Sequence, residues 1–305
     1  SSSTLRVFYK ASSKLATVMT TPLYQNPSKT AFTASLLRVF ATKEADPNIQ
    51  GSDDMVFLFL EDNILPTYND NEKRQLFLDE NYKAGGYVYM IARTKLIDHL
   101  FQKALNENLS QIVLLGAGFD TRAWRFSSLI QETQIFELDL PITQQWKQEC
   151  FAQNGIATHK NLHYVPTTFN LESLESDLKQ GGYDPEKKTF FILEGVTYYL
   201  SGEAVDKTLQ FIYSNSCFGS TLIFDYVYRY VIEQNWMAAS GESTGEHFKF
   251  GISEGQIENF LYSRSLKLIK NYSPLELESE FLIKSDGELF KPSIPFFCLA
   301  HTVVR

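Results

Sequence analysis

Two glycines and an acid are the first residues whose types and spacing suggest chemistry. Gly116 and Gly118 follow an apolar run in "VLLGAGFDTRAWRF", and Asp139 ends the next apolar run. Glycine at a strand end permits a tight turn and lets a ligand approach the backbone. The polar residues after the turn can open a helix whose N-terminus favours negative charge. An acid about 20 residues further on suits ribose hydroxyls. The pattern predicts a ribose-containing cofactor; a structural turn and a surface acid are the alternative.

Two cofactors compete for this pattern, NAD and S-adenosylmethionine. The NAD fingerprint is G-x-G-x-x-G, but Thr121 stands in the third glycine position. Asp120 in the same loop would repel a pyrophosphate at close range. A cofactor with an amino-acid tail and no phosphate tolerates this acid. The loop therefore favours S-adenosylmethionine.

Composition disfavours several classes of protein. The 305 residues, 44% of them hydrophobic, suit one large domain or two modest ones with a sizeable core. Lysine and arginine number 28 against 36 acids, and the net charge of −8 disfavours nucleic acid as a partner. Cys150, Cys217 and Cys298 are widely spaced and include no C-x-x-C motif. They fit free thiols in a reducing cytoplasm better than disulfides or a zinc site, so no metal is expected.

Targeting and membrane signals are absent from the sequence pattern. No apolar run approaches the roughly 20 residues of a membrane helix. The N-terminal residues lack the basic patch and apolar run of a signal peptide. We therefore expect a cytoplasmic protein without a membrane partner, and its oligomeric state stays open.

Seven short apolar runs from Ile112 onward predict a sheet. They cover 112–116, 134–139, 162–169, 189–195, 221–227, 266–272 and 295–304. The first five are spaced for βαβ crossovers, which favours a parallel sheet with helices on both faces. The last two are separated by prolines and show no good helix between them, so an antiparallel hairpin at a sheet edge is expected. The fold class is α/β, Rossmann-like, with seven mostly parallel strands and a reversed last strand.

The residues before the sheet are predicted to be helical. "NPSKTAFTASLLRVFA" begins with a cap and an early proline, and a second long helix runs into Leu105. We assign residues 1–110 to an N-terminal helical arm or cap and residues 111–305 to the cofactor-binding domain. An insertion at about 226–252, rich in aromatics and glycine, would form a lid or acceptor-binding segment.

Four stretches carry a family resemblance: "VLLGAGFDTRAWRF", "FELDLPITQQWK", "FFILEGVTYYLSGE" and "ARTKLIDHLF". Together they resemble the leucine carboxyl methyltransferase family, whose relatives include polyketide carboxyl methyltransferases of the tetracenomycin type. The resemblance runs from about Asn26 to the C-terminus. It implies a class I methyltransferase fold and S-adenosylmethionine as the cofactor.

The resemblance also implies roles for individual residues. Arg93 looks like the arginine that holds the cofactor carboxylate, since a planar guanidinium pairs well with two oxygens. Gly116 and Gly118 look like the turn that contacts the cofactor, and Asp139 resembles the acid that binds ribose. Glu194 resembles the acid beside the cofactor's methionine part or the methyl site.

The adenine position departs from the family pattern. In "TTFNLES" the family usually has Asp-Leu, with the acid near adenine, whereas this sequence has Asn170 and Leu171. An asparagine carbonyl can still accept a hydrogen bond from the adenine amino group. We therefore keep Asn170 and Leu171 as cofactor-binding candidates.

The acceptor determines whether a catalytic base is needed. Methyl transfer from a sulfonium is an in-line displacement, so alignment and exclusion of water are the main tasks. A carboxyl with a pKa of about 4.3 is already ionised at neutral pH, whereas a phenol with a pKa of about 10 benefits from a base. No catalytic residue is assigned. The acceptor-site candidates are Tyr199, from the family match, and Tyr226, Arg229, Trp236 and His247.

The functional hypothesis is an S-adenosylmethionine-dependent O-methyltransferase acting on a carboxyl or hydroxyl group of a small metabolite, polyketide-like or another natural product. Three alternatives stay open. They are a methyltransferase for a protein's C-terminal carboxylate, an NAD-dependent oxidoreductase and a cofactor-binding module without turnover. A further branch of the family modifies a tRNA base, which the acidic charge disfavours.

Overall fold

A seven-stranded sheet forms the centre of the molecule. The computed structural model describes residues 29–60, 64–82, 85–169, 171–234 and 248–305. The strands are β1 (Gln111–Leu115), β2 (Gln134–Asp139), β3 (Leu162–Pro166), β4 (Thr189–Leu193), β5 (Thr221–Val227), β6 (Leu266–Tyr272) and β7 (Phe297–Val304). Their order across the sheet is β3-β2-β1-β4-β5-β7-β6. All seven strands lie within or beside the runs that the sequence predicts.

Strand direction follows the prediction. The strands β1 to β5 pair in parallel, and β7 pairs antiparallel with both β5 and β6. The Rossmann-like class I methyltransferase topology with a reversed last strand is therefore confirmed. The central strands β1 and β4 are buried at every position, as expected for parallel strands covered on both faces.

Helices flank the sheet. They are α1 (Lys29–Ala41), α2 (Leu65–Tyr68), α3 (Asn71–Asn81), α4 (Gly86–Asn106), α5 (Arg122–Arg125), α6 (Pro141–Gln153), α7 (Leu171–Gln180), α8 (Gly202–Ser214), α9 (Tyr230–Glu233), α10 (Ile257–Tyr262) and α11 (Pro274–Phe281). Four of them precede β1, in the stretch that the sequence assigns to a helical arm or cap. The division into domains at residue 110 stays a prediction.

One expectation about the C-terminal region is wrong. Helix α11 lies between β6 and β7, where the prolines suggested that no helix would form. Pro274 occupies the first turn, where a missing N–H is harmless. Ser273 caps the helix through a reciprocal capping box with Glu276. The sequence "SPLE" carries this signal, so the error came from treating every proline as a helix breaker.

Helix α4 brings charged side chains to the sheet. It has 21 residues, packs against α1 and α11, and buries Arg93 and Asp98 together with its apolar residues. Among the helices in the described ranges, none is long and apolar enough to cross a membrane. The three cysteines are free thiols.

Candidate functional site

The glycine turn after β1 is held by the acid at the end of β2. Gly116 has φ of +79° and Gly118 has φ of +48°, conformations that glycine adopts without strain. The N–H of Gly118 donates to Asp139 Oδ2 at 2.6 Å, and the N–H of Leu140 donates to Oδ1 at 2.7 Å. Asp139 thus fixes the turn through backbone bonds. A carboxylate has about four acceptor positions, so these two bonds leave capacity for hydroxyl donors.

Neighbouring side chains cover the turn. A Cβ added to Gly116 would lie 2.9 Å from Val196 Cγ2, and one added to Gly118 would lie 3.4 Å from Ala31 Cβ. Two hollows in the described part of the chain, of about 210 and 410 Å³, are not lined by either glycine. The donors, acceptors and charges around the turn therefore determine which cofactor fits it.

Arg93 and Glu194 meet beside the next strand. Arg93 Nε lies 3.0 Å from Glu194 Oε1, and Arg93 Nη1 donates to Asp225 Oδ2 at 2.8 Å. The guanidinium also lies 5.5 Å from the centre of the Tyr89 ring, within cation–π range. Arg93 is buried, while the Glu194 side chain keeps 16% of its surface exposed. The structure brings together the arginine and the acid that the family resemblance singled out.

These residues belong to a larger buried arginine–carboxylate network. Its members are Arg38, Asp53, Arg93, Asp98, Asp120, Arg122, Arg125, Glu194 and Asp225, joined by ion pairs. Four arginines face five carboxylates, so the fully ionised network carries one excess negative charge. Such a charge away from water favours a cationic partner.

Arg122 explains why a polar stretch follows the glycine turn. It is fully buried, and its Nε donates to Asp98 Oδ1 at 2.7 Å while Nη1 donates to Glu194 Oε2 at 2.9 Å. Nη1 also pairs with Asp120, whose other oxygen accepts the N–H of Arg122 at 2.7 Å. Asp120 is therefore neutralised by Arg122. Asp120 by itself therefore does not disfavour a pyrophosphate. The net negative charge of the whole network does.

The carboxylates of the site have pKa values displaced in different directions. Burial alone would raise the pKa of Glu194, but the positive charges of Arg122 and Arg93 hold it below the ordinary value of 4.5. Burial likewise opposes ionisation of Asp98, and Arg122 and Arg125 lower its pKa. Burial raises the pKa of Asp139 in spite of its backbone hydrogen bonds. Glu194 and Asp98 are therefore firmly anionic at neutral pH.

Aromatic rings surround the Arg93 side of the site. Tyr198 places its hydroxyl 3.4 Å from Arg93 Nη1, and its ring packs 4.7 Å from Tyr199 and 4.8 Å from Phe248. Tyr199 also packs 5.6 Å from Phe248. Tyr198 is buried, and Tyr199 is half-buried. These rings form an apolar wall that could contact a small organic acceptor.

The other acceptor candidates are placed differently. The Tyr226 hydroxyl donates to Asn271 Oδ1 at 2.9 Å on β6, and Arg229 is exposed. The side chains of neighbouring strand residues alternate between faces, so Tyr226 points away from the face that Asp225 occupies. Trp236, His247 and Asn170 lie outside the described residues, and Leu171 begins α7. Their roles stay predictions.

Sequence reasoning missed Asp225, Asp98 and Arg122. Asp225 and Asp98 are charged residues in largely apolar stretches, "IFDYV" and "LIDHL", whereas Arg122 lies in the polar "DTRAW" after the glycine turn. A charge within a buried run is costly without a partner, so these stretches indicated partners without identifying them. Within the described residues, no group of three or more His, Cys, Asp and Glu side chains could hold a metal ion.

Comparison with known proteins gives a family match. The leucine carboxyl methyltransferase family model matches residues 31–213. The "Putative S-adenosyl-L-methionine-dependent methyltransferase YktD" of Bacillus subtilis is 29% identical over 203 residues, 63% of this chain and 65% of that protein. A similarly named protein of Mycolicibacterium gilvum is 36% identical over 138 residues, 45% of this chain and 55% of that protein. The matched segments thus span less than two thirds of these relatives.

Two solved structures share the architecture. A "putative methyltransferase" of Thermobifida fusca superposes with a TM-score of 0.59 at 14% identity, covering 93% of this chain and 97% of that one. A DUF574 family protein of Streptomyces avermitilis superposes with a TM-score of 0.60 at 12% identity, covering 93% of this chain and 100% of that one. At such identities the likeness shows the fold.

Proposed function

The chain belongs to the leucine carboxyl methyltransferase family, and we propose that it is an S-adenosylmethionine-dependent O-methyltransferase for a small metabolite. The acceptor group is a carboxyl or hydroxyl on a polyketide-like or other natural product. S-adenosylmethionine is also the cofactor for which the curated relatives are named.

The excess negative charge of the network is the observation that carries this proposal. At neutral pH S-adenosylmethionine has a sulfonium, an ammonium and a carboxylate, so it carries one net positive charge. It would therefore balance the arginine–carboxylate network. NAD brings a pyrophosphate with two negative charges, which would add to the excess already present.

The described donors and acceptors fit the parts of this cofactor. Asp139 has spare acceptor capacity for ribose hydroxyls beside the glycine turn. Arg93 Nη2 contacts only a thioether, Met90 Sδ at 3.2 Å, among its described hydrogen bonds and ion pairs. It can therefore donate to a carboxylate. Glu194 is anionic and partly exposed, so it can attract the ammonium group. When bound, the cofactor supplies an electrophilic methyl group on sulfur.

The acceptor would lie against the aromatic wall formed by Tyr198, Tyr199 and Phe248. Rings hold a flat or apolar molecule without requiring a charged partner, and they exclude water from the displacement. A carboxylate acceptor would need no base because it is ionised at neutral pH. A protein C-terminal carboxylate is the second candidate, since it presents the same nucleophile.

Binding and turnover test the proposal in two steps. Calorimetry should detect S-adenosylhomocysteine and no comparable binding of NADH; the reverse result would overturn the methyl-donor assignment. Methyl-labelled cofactor is then incubated with small carboxylic acids, phenols and a peptide with a free C-terminus. Mild alkali releases the label from an ester and leaves an ether intact, which separates carboxyl from hydroxyl methylation. A cofactor that binds with no transfer to any acceptor would favour a module without turnover.

A further inference from the structure

Asp225 organises three elements around the site although it ends no strand and faces no open surface. It lies in β5 and is completely buried. Its Oδ2 accepts hydrogen bonds from Arg93 Nη1 at 2.8 Å and from the Tyr89 hydroxyl at 3.1 Å. Its Oδ1 accepts the N–H of Gly195 at 2.8 Å. One carboxylate therefore ties α4 and the loop after β4 to β5.

The contacts of Arg93 leave one side of its guanidinium to a weak partner. Nε faces Glu194, and Nη1 is held by Asp225 with the Tyr198 hydroxyl nearby at 3.4 Å. Nη2 has only the sulfur of Met90 as a described partner. Thioether sulfur is a weak acceptor, so Nη2 keeps most of its capacity for a carboxylate oxygen.

The backbone at Gly195 completes the arrangement. Gly195 has φ of +72°, and a Cβ there would lie 3.4 Å from Arg93 Nη1 and 3.6 Å from the Tyr198 hydroxyl. The guanidinium thus lies directly against this backbone. Because Asp225 also holds the N–H of Gly195, it positions both the guanidinium and the surface beneath it.

We propose that Asp225 is a positioning residue for the methyl donor. It holds Arg93 so that the Nη2 side is presented to the carboxylate of the cofactor's amino-acid tail, and it touches neither the cofactor nor the acceptor. This inference rests on the proposed function and extends it to a residue outside the family motifs. A guanidinium already fixed in place loses less conformational entropy when the ligand binds.

Two ligands separate this role from a purely structural one. S-adenosylhomocysteine has the nucleoside and the amino-acid tail, whereas 5′-methylthioadenosine has the nucleoside without the tail. In Asp225→Asn only one side-chain oxygen remains, and the NH2 group that replaces the other cannot accept a hydrogen bond. The two oxygens that now accept from Arg93 and from the N–H of Gly195 are therefore no longer both available. We expect the Kd of S-adenosylhomocysteine to rise at least about tenfold, and that of 5′-methylthioadenosine to change less than about threefold. Calorimetry on the folded variant measures both.

A matched control comes from strand β2, which lies across β1 and β4 from the strand of Asp225. Glu137 is a fully buried acid on β2 that pairs with Lys147 at 2.6 Å and is not a member of the network. Glu137→Gln also removes a buried carboxylate, so its thermal stability should fall. The ratio of the Kd of S-adenosylhomocysteine to that of 5′-methylthioadenosine should stay within about twofold of the wild-type ratio.

A second variant is available if Asp225→Asn does not fold. Tyr89→Phe removes the hydroxyl that donates to the same oxygen and keeps the ring stacked on Phe297, 4.4 Å away. We expect a selective loss of about threefold for S-adenosylhomocysteine, the scale of a single modest hydrogen bond.

The binding measurements distinguish a positioning role of Asp225 from a purely structural one. A selective loss for the ligand with the tail supports the positioning role, in Asp225→Asn or, failing that, in Tyr89→Phe. Equal losses for both ligands, or an unchanged ratio, overturn it while leaving the proposed function intact. A wild-type protein that binds neither ligand overturns the methyl-donor proposal and this inference with it.

Discussion

Two acids lie at the carboxyl ends of β2 and β4, the strands on either side of β1, and they are held in different ways. Asp139 ends β2 and accepts two backbone N–H groups, one of them from the glycine turn. Glu194 follows β4 and is held by the side chains of Arg93 and Arg122. On the β2 side the acid sets the shape of the backbone, and on the β4 side arginines set the charge of the site. Substitutions in the two regions should therefore fail in different ways.

Removing the central arginine should have the largest effect. Arg122→Met leaves two buried carboxylates and the partly exposed carboxylate of Glu194 without this partner, so we expect the free energy of unfolding to fall by about 3–5 kcal/mol. Urea denaturation measures this loss. Arg264→Met, which breaks a more exposed pair with Asp206, should lose less than about 1 kcal/mol. Similar losses in both variants would show that the buried network does not stabilise the fold as described.

The two regions should also separate by ligand. Arg93→Met should weaken binding of S-adenosylhomocysteine by about 1.5–3 kcal/mol, the scale of hydrogen bonds to charged groups. It should leave 5′-methylthioadenosine nearly unchanged. Asp139→Asn should weaken both ligands alike because both contain the ribose. If calorimetry finds the two variants with the same ligand profile, the assignment of tail and ribose to different strands is wrong.

A pair of glycines isolates the steric demand at the turn. Gly116 and Gly155 have similar positive φ values, +79° and +69°, but Gly155 has open space where a Cβ would lie. Gly155→Ala should cost about 1 kcal/mol, the strain of a left-handed conformation. Gly116→Ala should cost about 1–3 kcal/mol more because Val196 must move. Thermal unfolding compares them, and equal costs would mean that packing against Val196 is unimportant.

The smallest expected effect is an opposite dependence on pH. The pKa of Glu194 lies below its ordinary value, so its ionised form stabilises the fold above pH 4.5, and this is lost as the pH falls through the folded pKa. The pKa of Asp139 lies above its ordinary value of 3.8, so its ionised form destabilises the fold at neutral pH. This destabilisation is lost as the pH falls through the folded pKa towards 3.8.

Two variants test this difference in sign. As the pH falls from about 5.5 to about 3.5, the stability loss from Glu194→Gln should shrink and that from Asp139→Asn should grow. Urea titrations at several pH values measure both trends. If the stability losses of the two variants changed with pH in the same direction, the contrast between an acid held by arginines and one held by backbone amides would be wrong.

Local sequence patterns were sufficient to determine the strands and the glycine turn. Apolar runs and their spacing located all seven strands, including the reversed β7, because strands that pack into the core are rich in apolar residues. The glycine pair indicated the turn because a left-handed backbone favours glycine. The capping box of α11 was equally local, and the prolines beside it obscured it.

Only the tertiary structure decided how the charges pair. Arg122 reaches Asp98 across 24 positions of sequence, and Arg93 reaches Asp225 across 132. The sequence shows that each of these charges needs a partner, because an unpaired buried charge is costly. It does not show which partner, because every arginine satisfies every carboxylate equally well until the fold sets the distances between them.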